Sequence, residues 1–482
     1  MTHPASSPPP QLSSSAPVIV ETAPLSPGQE RLIDAEFLRP DGGWPAPGEA
    51  TRLRPIDTAA IRIDGPLDRD ALQQSVSALI RRQHALRTRL HQLPNGTAVQ
   101  LVADHLPDTI TRSTLLADTV VTPEVLAAQT PPTHVDPRTD PLFRAHLVRL
   151  GAEQHVLLLQ IHHFVSDGWS IGVLYRDLSA LYNAALSGRP AQLPPLPRTF
   201  AALSRDMHRE RRSSEAEASL AYWRQRLAPP RPPLAFTNES AVPYTGLRRV
   251  DVVPVRVPPG VVNALRAGAR TGHQRGPVAG PFLAALALVL HHQSSSTDIR
   301  IGMMISNRAR PEAEHLIGYF VNTAVIRLRL HPDQTAAELL GAANAAVNGA
   351  LKHQALPIQD VAADLRRHAA ADGAPLYQVT VALNTMRTGS LTLDGADCLD
   401  LDLDRPGLRD APTRIDQRWV LQEQDRGLVG TLTCQSAAFG PPRIRTCLDN
   451  LDRALRSVAE PHRTLAEITA SLQPDPRPGV CP

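Results

Sequence analysis

The chain has 482 residues, 42% of them hydrophobic, with 50 Lys+Arg against 47 Asp+Glu and a net charge of +3. That composition excludes wholesale disorder and allows two or three folding units around a sizeable core. The basic residues are scattered, with no stripe interleaved with aromatics, which argues against a nucleic-acid partner. Lys352 is the only lysine, so no G-K-[ST] phosphate loop is possible. Cys398, Cys434, Cys447 and Cys481 lack C-x-x-C spacing and argue against a zinc or disulfide framework, so no metal is expected. The N-terminus lacks the pattern of a signal peptide. The longest apolar run, Val278 to Leu290, is interrupted by Gly280 and Pro281 and is too short to span a bilayer. The expectation is a soluble, cytoplasmic protein with no membrane contact.

In chain order, residues 1–21 are Pro/Ser-rich and read as a disordered tail. A first lobe is expected over 22–190. In it Asp70 could cap a helix with Leu72, Val76, Leu79 and Ile80 on one stripe. "LFRAHLVRL" (142–150) and "HVLLLQI" (155–161) predict a hairpin, and a helix follows Gly168 as far as Gly188. Two Pro-rich passages flank an Arg/Glu-rich helical stretch and predict a connector over 191–240. A second lobe over 241–465 carries a buried helix "PFLAALALVLHH", a strand "DIRIGMMI", a hairpin "RWVLQEQ-DRG-LVGTLTC" and a last amphipathic helix. Residues 466–482 read as a tail. Helices and hairpins in both halves predict a two-lobed α/β (α+β) fold.

The stretch "HHFVSDGWSIG" (162–172) carries the chemistry, in two competing ways. Gly168-Trp169-Ser170-Ile171-Gly172 fits the G-x-S-x-G elbow of a serine hydrolase. An elbow needs the strand to run straight into the turn, yet the apolar strand ends at Ile161 and no H-G-G-G loop lies upstream. Ser170 stands instead where a helix cap or first-turn residue belongs. Two successive histidines at a strand end point to opposite faces, so one can be buried while the other faces a cavity. Both could equally be structural. A shared metal ion is disfavoured, because adjacent strand residues cannot ligate from one face and no Cys or Glu sits at ligand spacing. Asp167 could orient a histidine or serve as an ion-paired strut.

"HHFVSDGWS" resembles the HHxxxDG signature of the condensation domains of nonribosomal peptide synthetases, relatives of the chloramphenicol acetyltransferase fold. Further stretches are similar in the family's order: "LSPGQERL" (25–32), "RRQHALRTRL" (81–90), "ISNRARPEAEHLIGYFVNTAVIRL" (305–328), "HQALPIQDV" (353–361) and "APLYQVTVALNT" (374–385). The resemblance runs from about residue 22 to 465. It departs where Gly28 replaces the usual Ala, where "RTFAALSRD" keeps only Phe200-Ala201 of a Tyr-x-Asp-Tyr-Ala element, and at "SAAFGPP" in the late hairpin region.

The resemblance implies two acetyltransferase-like lobes in a V-shaped pseudo-dimer, with a tunnel between them. It implies transfer of an acyl or aminoacyl group from the phosphopantetheine thioester of a carrier protein, acting in trans, to an amine or hydroxyl. No cofactor would be bound. On that reading the enzyme is free-standing and monomeric and belongs to natural-product biosynthesis. His163 is then the catalytic residue, with His162, Asp167, Gly168 and Arg308 as support. Asp167 would pair with Arg308 from the other lobe. Trp169 and Asn322 are possible tunnel-lining residues, with Thr323 beside the latter, and Arg31 and Arg87 are mainly structural. A coenzyme A-dependent acyltransferase and a non-catalytic docking module are the alternatives.

Overall fold

The computed structural model describes residues 17–34, 44, 56–106, 110–114, 135–229, 232–236, 250–268, 277–368, 375–385, 389–401 and 415–475. The first half carries β1 (Ile19–Pro24), α1 (Pro27–Leu32), β2 (Ile56–Asp64), α2 (Arg69–Arg82), β3 (Thr88–Gln92), β4 (Ala98–Ala103), β5 (Ile110–Thr114), β6 (Phe143–Arg149), β7 (Gln154–His162) and α3 (Gly168–Ser187). Helices α4 (Phe200–Glu210) and α5 (Ser214–Leu227) follow. The second half carries β8 (Val250–Val257), α6 (Pro259–Gly268), α7 (Ala279–Ser294), β9 (Asp298–Ile305), β10 (Asn322–Arg329), α8 (Ala336–Lys352), α9 (Ile358–His368), β11 (Val379–Asn384), β12 (Asp397–Leu401), β13 (Gln417–Gln424), β14 (Gly427–Gln435), α10 (Pro441–Ser457) and α11 (Leu465–Ala470).

Two mixed sheets organise these elements. One has five strands in the order β12-β2-β7-β6-β5, the other six in the order β10-β9-β11-β13-β14-β8, and a three-stranded sheet β1-β4-β3 stands beside the first. Helix α2 buries Leu72, Val76, Leu79 and Ile80, and α3 buries Val173, Leu174, Leu178 and Tyr182, all in the first-lobe core. Each such side chain contributes about 1.5–3 kcal/mol by leaving water. The apolar stretch Phe282–Leu290 of α7 is enclosed in the second-lobe core. The β13–β14 turn closes at Gly427, whose φ of 102° and close approach to the Val257 carbonyl leave no room for a side chain.

Several boundaries differ from the sequence reading. The α2 cap is Asp68, whose carboxylate accepts from the Asp70 and Ala71 N–H groups at 2.9 Å, so Asp70 sits in the first turn instead. Residues 19–21, assigned to a disordered tail, belong to β1, which pairs with β4; residues 1–16 lie outside the described set. The tail from 466 is also folded in part. Ile468 is buried and Asp475 pairs with the buried Arg443, while 476–482, with Cys481, lie outside the described residues.

The connector is two docked helices, with Phe200 and Leu203 of α4 in the first core and Trp223 and Leu227 of α5 in the second. The second lobe is not confined to one sheet. Residues 389–401 cross over: Leu391 and Leu393 enter the first core, Thr392 N–H donates to Ser179 Oγ at 2.9 Å, and β12 pairs antiparallel with β2. Edge pairing satisfies backbone groups that β2 would otherwise leave open, which is why the boundary at 241 is crossed.

Candidate active site at the lobe seam

Strand β7 runs one residue further than its apolar pattern, through His162. His162 is buried, and its Nδ1 accepts the Phe164 N–H at 3.0 Å, which turns the chain into a short 3₁₀ segment over His163–Val165. The turn breaks strand geometry and carries His163 to a half-buried position. There its Nδ1 lies 3.4 Å from the Ser166 carbonyl, and its ring stands 6.2 Å from that of Tyr319 of the second half.

Asp167 caps α3 by accepting the Ser170 N–H at 2.9 Å, and it also accepts the Phe320 N–H at 3.2 Å. Arg308, from the turn after β9, gives it Nη2 at 2.9 and 3.1 Å; side-chain exposure in this pair is 1% and 2%. Burial pushes the Arg308 guanidinium down from its ordinary value, and the charge and hydrogen bonds of Asp167 act against that. Arg308 also donates through Nη1 to the Ala313 and Leu316 carbonyls at 2.6 and 2.7 Å and lies 4.2 Å from the Phe320 ring centroid.

Ser170 Oγ is enclosed in this knot. It donates to Asp167 Oδ1 at 2.8 Å and accepts from the Gly318 N–H at 3.1 Å and from Arg308 at 3.0 Å. A fully buried hydroxyl with these partners is no nucleophile, which removes the hydrolase elbow.

Residues 313–320 thus form a strap from the second half laid on the first. Trp169 Nε1 donates to the Glu314 carbonyl at 2.9 Å and Ser26 Oγ to the Tyr319 carbonyl at 3.1 Å. Trp169 therefore holds the strap. Asn322 borders a crevice with Ser26, Gly28, Met207 and Asn307, but its amide is committed. It donates to the Gln354 and Leu356 carbonyls at 2.8 Å and accepts the Ile358 N–H at 3.2 Å, tying the 354–358 loop to β10; Thr323 beside it is buried. Arg87 is buried and donates to the Ile80, Arg81 and Ala103 carbonyls, and Arg31 lies half-buried in the last turn of α1.

Gly168 is exposed beside the histidine, and a Cβ there would come within 2.9 Å of Asn384 Nδ2 at the end of β11. Asn384 lies in the stretch "APLYQVTVALNT" that resembles the family, where nothing marked it as a site residue. Only the fold brings that amide to the motif, so no local signal could have found it. Among the described residues, no group of three His, Cys, Asp or Glu side chains could hold a metal ion, and no helix is long and apolar enough to cross a membrane.

Two mixed-sheet lobes meeting at a histidine loop locked by a buried Asp–Arg pair define the two-lobed α/β class that condensation domains occupy. The chain belongs to that family: the sequence profile of the Condensation domain matches residues 56–473. It is 33% identical to phosphinothricin tripeptide synthetase PhsC of Streptomyces viridochromogenes over 94% of this chain and 42% of that protein. It is 30% identical to chondramide synthase of Chondromyces crocatus over 84% of this chain and 10% of that protein. The chain therefore spans less than half the length of either curated relative. Its fold matches the X-domain in complex with OxyB from teicoplanin biosynthesis, with TM-score 0.72 and 25% identity over 98% of this chain and 99% of that one. It also matches the first condensation domain of the calcium-dependent antibiotic synthetase in complex with a substrate analogue, with TM-score 0.69 and 18% identity over 93% and 99%.

Proposed function

We propose that this chain transfers an acyl or aminoacyl group from a carrier-protein phosphopantetheine thioester to an amine or hydroxyl, forming an amide or ester. One observation carries the reading. Within the motif, His162, Asp167 and Ser170 are buried and committed to holding the loop, while His163 alone of its polar side chains is part-exposed, beside the exposed Gly168. The Ser166 carbonyl can only accept, so its contact with Nδ1 favours the tautomer that leaves Nε2 basic. Nε2 takes the proton of the attacking group as the new bond to the thioester carbon forms; the C–S bond then breaks, and the imidazolium gives that proton to the departing thiolate.

For an α-amine, with a pKa of roughly 8, a fair share is already neutral, and positioning by His163 outweighs its base strength. For a hydroxyl the base role is essential. Asn384, beside Gly168, offers an amide near the same space.

His163→Ala is expected to lower kcat/KM by about 10²–10⁴-fold at unchanged stability. The assay uses a carrier-loaded donor with amine and hydroxyl acceptors. Strict preference for the same acyl group on coenzyme A would overturn the carrier clause. A docking role is a second reading, favoured by the likeness to an X-domain solved in complex with OxyB. It forecasts product formation indifferent to His163→Ala.

A further inference from the structure

The short 3₁₀ turn that carries His163 does not satisfy all of its own backbone. Ser166 N–H closes it on the His163 carbonyl at 3.3 Å, and Ser166 is itself extended, so the next carbonyl, that of Phe164, points outside the turn. Phe164 is fully buried, and a buried carbonyl needs a partner. Gln29, from α1, supplies it: its Nε2 donates to the Phe164 carbonyl at 2.8 Å across 135 residues of sequence, and the residue is fully buried. The Phe164 N–H is on His162 Nδ1 at 3.0 Å. Both backbone polar groups of the residue next to His163 are therefore held, one of them from a distant element.

Gln29 is aimed by its own helix. Its Oε1 accepts the Ser26 N–H at 2.8 Å, and its N–H donates to Ser26 Oγ at 3.2 Å, which together make a capping box at the start of α1. With Oε1 so committed, Nε2 is turned to Phe164. The same Ser26 Oγ donates to the Tyr319 carbonyl at 3.1 Å, and the Tyr319 ring lies where a Cβ on Gly28 would come within 3.0 Å of it. The first turn of α1 thus holds the histidine loop through Gln29 and the strap through Ser26 and Gly28. The rings of His163 and Tyr319, one on each side, stand 6.2 Å apart.

A capping box alone accepts glutamate as readily as glutamine. The Phe164 carbonyl does not, because it can only accept and an ionised carboxylate has no hydrogen to give. We infer that Gln29 is a positioning residue for His163, fixing the peptide that follows it and so the place of the imidazole beside Tyr319. The kinetic part of this inference rests on the acyl-transfer reading; the positional part does not.

The test compares the full chain with Gln29→Met, Gln29→Glu and a control, Leu32→Ala, which loosens α1 from the first-lobe core at a residue packed in that core. The His163 Cε1–H resonance is identified by its loss in His163→Ala and followed by NMR, with steady-state kinetics on a carrier-bound donor. Both Gln29 variants are expected to shift that resonance, and Leu32→Ala to leave it in place. Per folded molecule, both Gln29 variants should lower kcat about ten- to a hundredfold with KM within about twofold, and Leu32→Ala should leave kcat within about twofold. A Gln29→Glu protein with the resonance and kcat of the unaltered chain would overturn the inference, since the cap would then be all that Gln29 serves. So would a shift in Leu32→Ala as large as that in Gln29→Met. One measurement needs no variant to fold: in the unaltered chain the Gln29 side-chain N–H hydrogens should exchange at least about tenfold more slowly than those of the exposed Gln74. Equal rates would overturn the inference by themselves. If the unaltered chain transfers no acyl group at all, the acyl-transfer reading fails, and the resonance and exchange results still decide whether Gln29 positions His163.

Discussion

Asp167 and Arg308 illustrate why a residue in a catalytic motif need not touch the reaction. Each is almost wholly enclosed, and between them they satisfy the α3 cap, the Phe320 N–H and two strap carbonyls. Asp167→Asn or Arg308→Met strands the partner's charge in a dry site, at a cost of about 3–5 kcal/mol. Removing both together is expected to cost less than the two single losses added, because no charge is left unpaired. Urea unfolding of the four proteins checks this, and activity per folded molecule should fall far less than in His163→Ala. The candidate pair was legible in the sequence through the HHxxxDG and S-N-R resemblance. The burial of Ser170 was not, because the atoms that enclose it come from Gly318 and Arg308, over a hundred residues away.

At the level of elements, local periodicity told much and pairing told little. The stripes of α2 and α3 and the two hairpins were readable because their partners lie close in sequence. Strand β12 was not. Its residues Asp397–Leu401 are mostly exposed and carry no strong alternation, and its partner β2 lies more than 300 residues earlier. The segment leading into it is nevertheless anchored, with Leu393 only 3% exposed in the first-lobe core. Leu393→Ala is expected to cost about 2–5 kcal/mol, like other large-to-small changes in a core. Thermal melts read the loss, and exchange at β2 amides should rise more than at β9 amides.

For the whole molecule, a second seam contact makes stability depend on pH. Arg211, just past α4, binds Glu30 of α1 at 2.8 Å and Asp360 of α9 at 2.6 Å, and His208 lies 3.3 Å from Glu30. The hydrogen bond with Glu30 raises His208 above its ordinary value of 6.5, against burial. Burial alone would raise Glu30, but the hydrogen bond from His208 and the charge of Arg211 outweigh it and hold the carboxyl below 4.5. The raised histidine contributes fully below pH 6.5 and loses its contribution as pH rises through its folded value. The lowered carboxylate contributes above 4.5 and loses its share as pH falls through its own. Stabilisation from this network is therefore greatest between those two values. His208→Gln is expected to flatten the decline in Tm as pH rises above 6.5, and scanning calorimetry over a pH series measures it.

The crossover of β12 has a consequence for how such a chain can be exchanged among relatives. A cut in the connector would hand the first half to a new partner without its own edge strand, and the second half would carry a strand shaped for the β2 it left behind. Recombination that trades one half alone must therefore preserve that pairing register, or the hybrid loses a sheet edge. The segment 389–401 is the stitch that joins the two lobes through one sheet edge.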